Sequence, residues 1–163
     1  MSTWSRMRNK LETEYLAVSL RGRIRYFATT YRESHDQIGR AAILLDGQEI
    51  LKGNFFNYHF KDHLTANIPG RKWHAMDSIA LEEGIFDEYS FYTAFSEFDN
   101  QEIGKSLCSE NLLVRIFAIL DRRVGKRRLI AMQEQIQSET PIIQLFYVIR
   151  LEAEGLSNVI AKS

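Results

Sequence analysis

The sequence predicts an α+β fold, and three features predict it. Strand-like alternation and an Asp-Gly turn are gathered in the first half of the chain. Apolar stripes at helical spacing fill the second half. Strands do not alternate with those helices, which argues against a doubly wound parallel sheet. The 163 residues, 45% hydrophobic and 12% aromatic, suit one domain with one ordinary core. Residues 1–163 are therefore read as a single α+β domain: an N-terminal helix and an antiparallel sheet of three to four strands, then a helical half of about four helices. The sheet-rich half covers about 1–68 and the helical half about 72–157.

In order along the chain, Met7, Leu11 and Tyr15 recur at i, i+4 and i+8 among charged residues, which predicts a helix over Trp4–Leu16. The period then changes to two. Leu20, Ile24, Tyr26 and Ala28 take one face of a strand, and Arg21, Arg23, Arg25, Phe27, Thr29 and Tyr31 the other. Ser34–Gly39 reads as a polar loop. Arg40–Leu45 and Gln48–Lys52 flank Asp46-Gly47. A two-residue Asp-Gly linker signals a type I′ hairpin, whose two central residues both need φ > 0. Gly53-Asn54 permits a bend, Phe55–Lys61 fits a further strand, and Asn67–Gly70 with Pro69 marks the junction to the helices.

Phe86, Tyr89, Tyr92, Phe95 and Phe98 recur every third residue and are assigned to a helix, with a strand over Tyr89–Phe95 as the alternative. Ser109 is the expected N-cap of the next helix, with Glu110 in its first turn. Leu112, Leu113, Ile116, Phe117, Leu120 and Val124 form its buried stripe, which Gly125 interrupts. Lys126–Gln137 reads as a helix with Leu129, Met132 and Ile136 inward. Thr140 caps the last helix, Pro141 opens it, Ile142–Glu154 form its body, and Gly155 suits its C′ position.

Twenty-one basic residues balance twenty-one acidic ones, so no global field draws the protein to nucleic acid or to a membrane. The charge is nevertheless segregated. Residues 1–40 hold eight basic and four acidic side chains, net +4. Residues 82–110 hold eight acidic side chains against Lys105, net −7. Residues 111–128 hold six basic side chains against Asp121, net +5. Two basic surfaces follow. One is a row of arginines, Arg21, Arg23 and Arg25, on the outer face of the first strand, with Tyr31 and the loop residues His35, Asp36 and Arg40 beside it. Such a row is costly unless solvated or met by acids. The other is Arg122, Arg123, Lys126, Arg127 and Arg128, five cations around a glycine break. Arginine clusters of this kind favour phosphate and carboxylate partners. Lys126–Arg128 would open a helix, where the dipole disfavours cations, and that conflict points to an anionic partner.

The one cysteine, Cys108, has no partner for an internal disulfide and reads as a half-buried packing residue. Met1–Lys10 has no apolar h-region, and no stretch approaches the roughly 20 apolar residues of a membrane span, so a cytoplasmic location is expected. His59 and His63 stand at i, i+4, but Phe60 follows the first, so the zincin pattern is absent and no metal is expected. His74 has no evident partner. His35-Asp36 would offer an imidazole beside a carboxylate, although an Asx turn explains the aspartate equally well. Phosphate-loop, Rossmann and nucleophile-elbow motifs are all missing, and no cofactor is expected.

Two stretches carry a resemblance. Ser19–Phe27, continuing through Thr30–Ala41, is one, and Ala118–Leu129 is the other. With the Trp4-Ser5 pair and the Phe146–Glu154 end, they resemble a family of small uncharacterised bacterial proteins. The resemblance implies a bacterial origin and carries over no catalytic residue. The expectation is a non-enzymatic binding or accessory protein. It would contact a protein partner, a second copy of itself or a small anionic ligand through the two basic surfaces, and would not bind a membrane. A small hydrolase or transferase using His35 or His59/His63 is the first alternative. Nucleic-acid binding through Arg122–Arg128 is the second, and the near-neutral balance of charge weighs against it.

Overall fold

The structure, a computed structural model, describes residues 3–29, 41–53, 81–82, 86 and 88–158. Helix α1 (Trp4–Asn9) is capped by the Thr3 hydroxyl and runs into a π-helical turn over Lys10–Glu14. A 3-10 turn (Val18–Leu20) leads to strand β1 (Ile24–Ala28), followed by β2 (Ala41–Leu45) and β3 (Gln48–Lys52). The sheet is antiparallel in the order β1-β2-β3, pairing Ile24 with Leu45 and Leu45 with Gln48. Helices α2 (Glu88–Asp99), α3 (Ile103–Ser106), α4 (Leu112–Ile119), α5 (Lys126–Ala131), α6 (Gln133–Gln137) and α7 (Pro141–Ala153) complete the described chain. The α+β class expected from the sequence is the class observed.

Local chemistry accounts for the punctuation. Asp46 and Gly47 both have positive φ, 51° and 84°, as the predicted two-residue turn requires. Gly53 lets the chain pass against the backbone of Phe86, whose carbonyl oxygen a Cβ at 53 would strike. Pro141 begins α7, and Gly155 ends it at φ 73°. The Gly155 and Leu156 amides donate to the carbonyls of Glu152 and Leu151 at 3.1 and 2.8 Å, a Schellman closure.

Helix α4 lies at the centre. Seven of its eight residues are buried, and Arg115 is the exception, so the helix is apolar almost all round rather than along one stripe. Phe117 on α4 meets Tyr26 of β1 edge-on at 5.7 Å and Phe98 of α2 at the same distance, within the range that aromatic pairs favour. Phe91 of α2 packs against Trp4, Tyr26 and Phe86. One buried apolar cluster thus joins α1, the sheet and the helices.

Several elements differ from the expectation. The inward face of α2 is Phe91, Ala94, Phe95 and Phe98, while Tyr89 is exposed and Tyr92 half-buried. A strict three-residue repeat slips about 60° per step around a helix of 3.6 residues per turn, so it cannot stay on one face. The cap of α4 is Asn111, whose side-chain oxygen accepts from the Leu113 amide at 3.0 Å; Ser109 instead accepts from the Asn111 amide. Lys126–Gln137 divides into α5 and α6 at Met132. Cys108 is exposed rather than half-buried. The predicted strand over Phe55–Lys61 and the junction at Asn67–Gly70 lie outside the described residues.

Candidate contact surface

The arginine row does not form. Strand β1 begins only at Ile24, because Gly22 at φ 80° turns the chain between the 3-10 turn and the strand. Arg21 therefore sits at the end of the 3-10 turn, Arg23 lies in the bend, and Arg25 alone of the three is on the strand. Their guanidinium groups are also differently occupied. Arg23 makes a two-pronged pair with Asp46 of the hairpin turn, both contacts at 3.0 Å. The hydrogen bond to Arg23, only partly opposed by desolvation, holds the Asp46 carboxyl below its ordinary value. Arg25 donates from Nη1 to Glu12 Oε1 at 2.9 Å. Arg21 is exposed and has no ion pair among the described residues.

Glu12 explains much of this local arrangement. It is 5% exposed, a buried carboxylate next to Leu11 of the apolar stripe. The π-helical turn, closed by Tyr15 N–H to Lys10 C=O at 2.8 Å, adds a residue to the turn and rotates Glu12 toward the sheet. There its Oε2 accepts from the backbone amide of Tyr26 at 2.8 Å, on the side of β1 away from β2. The carboxylate thus satisfies an amide that an edge strand would otherwise present unpaired.

The second basic cluster is split between two jobs. Arg123 is exposed at its edge but bonded within the fold. It pairs two-pronged with the buried carboxylate of Asp121 at 3.0 and 2.8 Å, and its guanidinium lies 4.9 Å from the Tyr15 ring centre. Tyr15 in turn donates to Asp99, which also pairs with Lys10 at 3.4 Å. Burial, then the hydrogen bond and charge of Asp99, push the Tyr15 phenol up to about 12. Arg122 is exposed, with Nε donating to the Glu14 carbonyl at 2.8 Å and no carboxylate on it. Lys126, Arg127 and Arg128 are exposed on the first turn of α5 behind the Gly125 cap, and none of the three is in an ion pair with a described residue. Lys126 is near enough to Glu154 to help Ser19 and Arg150 hold that carboxyl low against its burial.

A buried guanidinium supports the corner from beneath. Arg150 of α7, 3% exposed, donates to the carbonyls of Ile119, Asp121 and Val124 at 2.8, 2.7 and 2.7 Å and to Glu154 at 3.0 Å. It satisfies carbonyls where α4 ends and the chain turns toward α5, groups that a helix terminus leaves open. Nothing in its spacing distinguishes Arg150 from an ordinary cation of a last helical turn. Among the described residues, no carboxylate of the acidic block pairs with Arg21, Arg23 or Arg25. Among the block's described residues Asp99 is in an ion pair, with Lys10, while Glu97 accepts from Ser109 and Gln101.

Tyr31, His35, Asp36 and Arg40 lie outside the described residues, as do His59, His63 and His74. Among the described residues no group of three or more His, Cys, Asp or Glu side chains is assembled that would hold a metal, and no helix is long and apolar enough to cross a membrane.

Fold and surface together define an α+β protein with a cationic corner at the α4–α5 turn. The chain belongs to the SF0329 protein family, whose model matches residues 3–151. No curated protein and no solved structure matches the chain.

Proposed function

We propose that this chain is a non-enzymatic binding protein that docks an acidic protein surface with the α4–α5 corner, through Arg122, Lys126, Arg127 and Arg128. One contrast carries the reading. Arg23, Arg25, Arg123 and Arg150 are each bonded to a carboxylate of the fold, whereas among the described residues Arg122, Arg127 and Arg128 are bonded to none and Lys126 feels Glu154 only at longer range. Three of them crowd the first turn of a helix, where the backbone dipole raises their cost, and a carboxylate-bearing partner removes that cost. The rigid footing supplied by Arg150 and Asp121 favours a surface held ready for contact. Even overall charge favours an acidic protein over nucleic acid, since the attraction is confined to one corner.

The test places a photo-crosslinking amino acid at Ile130, which is 45% exposed on α5, and another at Val18, 70% exposed, as the control. In the native cell the Ile130 site should give a discrete protein adduct that Lys126→Gln/Arg127→Gln removes and the Val18 site lacks. An adduct to nucleic acid, or one that survives the double substitution, would contradict the proposal.

A further inference from the structure

A cavity of about 210 Å³ lies between the segment after α3, helix α4, and helices α5 and α6. Its walls are largely apolar, with Leu107, Ile119, Met132 and Ile136 contributing. Two arginines are also among its lining residues, Arg115 from α4 and Arg128 from α5. Arg115 pairs with Glu139 through Nη2 only, and its Nε is buried with no hydrogen-bond partner. A buried unpaired donor of this kind costs about 1–3 kcal/mol, so an acceptor supplied at that atom is favoured. Arg128 is laid over α3, with Nη2 3.4 Å from where a Cβ on Gly104 would stand.

We infer that this cavity binds a small monoanion with an apolar body, such as an alkyl carboxylate. Charge and size select the class. Glu139 offsets the charge of Arg115, so one net positive charge, that of Arg128, remains among the lining residues, together with a residue, Arg115, whose Nε has no partner. That matches one carboxylate better than a phosphate dianion. The apolar walls match a short hydrocarbon, and the volume lies below the roughly 300–1,000 Å³ of sites for drug-sized ligands. The site is separate from the docking reading, although Arg128 belongs to both surfaces.

Cys108, the chain's only cysteine, is exposed and lines the same cavity, so its alkylation by neutral iodoacetamide reports occupancy. Hexanoate should slow the reaction by about threefold, the protection expected at about two-thirds occupancy. Hexanol and inorganic phosphate should leave the rate unchanged. Arg128→Ala, at an exposed position, should abolish the protection by hexanoate, and Arg115→Lys, which removes the Nε donor, should weaken it. Protection by hexanol equal to that by hexanoate, protection by phosphate, protection retained in Arg128→Ala, or no protection would each overturn the assignment. The crosslinking outcome at Ile130 is independent of all four.

Discussion

Replacing Glu12 separates a structural carboxylate from a surface charge. In Glu12→Ala the buried Tyr26 amide loses its acceptor, which costs about 1–3 kcal/mol. The lost pair with Arg25 adds about 0–1 kcal/mol, because that guanidinium is more than half exposed. The sum centres on about 2.5 kcal/mol. Glu12→Gln keeps a carbonyl acceptor for Tyr26 and removes only charge, so about 1 kcal/mol is expected. Urea unfolding followed by tryptophan fluorescence reads the difference, with Trp4 packed on Phe91 and Tyr92 as one reporter. The slope should stay constant while the midpoint falls further for alanine than for glutamine. At about 2–4 °C per kcal/mol for a chain of this size, alanine should lower Tm by about 5–10 °C. Equal effects of the two substitutions, or losses under about 0.5 kcal/mol for both, would refute the reasoning.

Two other perturbations follow from the same geometry. Arg150→Leu strands three carbonyls and leaves Glu154 without its guanidinium, so a loss of about 3–5 kcal/mol is expected in chemical denaturation; a near-neutral result would show that water replaces the guanidinium without cost. Alkaline stability tests Tyr15. An unfolded tyrosine releases its proton near pH 10, whereas Tyr15 holds its proton to about 12, so the unfolded state binds fewer protons in that window and stability falls as pH rises through it. Tyr26, pushed up by burial and then by the charges of Glu12 and Asp121, acts in the same direction. Tyr15→Phe should flatten the decline of Tm between pH 10 and 12, and an unchanged slope would count against the Asp99 contact.

The parts legible in the sequence are those fixed by a few adjacent residues. Asp46-Gly47 specifies its turn because backbone conformation there depends on those two residues alone. Pro141 and Gly155 mark the ends of α7 for the same reason. Ile24 and Tyr26 are buried as alternation requires. The candidate site was less legible, because partners distant in sequence decide which cations are free. Arg25 is answered by Glu12 only because a π-helical turn, which no 3.6-residue period encodes, brings that carboxylate inward. Arg123 looks like its neighbours in sequence, yet Asp121 and the Tyr15 ring hold it. Phe91 lies off the three-residue aromatic repeat yet is buried, because the helix turns every 3.6 residues.

Arg23 and Arg25 are held by Asp46 and Glu12 of the same chain, whereas Arg122, Arg127 and Arg128 have no such pair among the described residues. One paired measurement decides the matter: unfolding free energy and Ile130 crosslink yield, taken together on two double variants. Arg23→Gln/Arg25→Gln should lower the unfolding midpoint and keep the adduct, while Lys126→Gln/Arg127→Gln should leave the midpoint near the parent's and lose the adduct. The opposite pattern, with the adduct lost from the first variant and stability lost from the second, would contradict the assignment of contact to the α4–α5 corner.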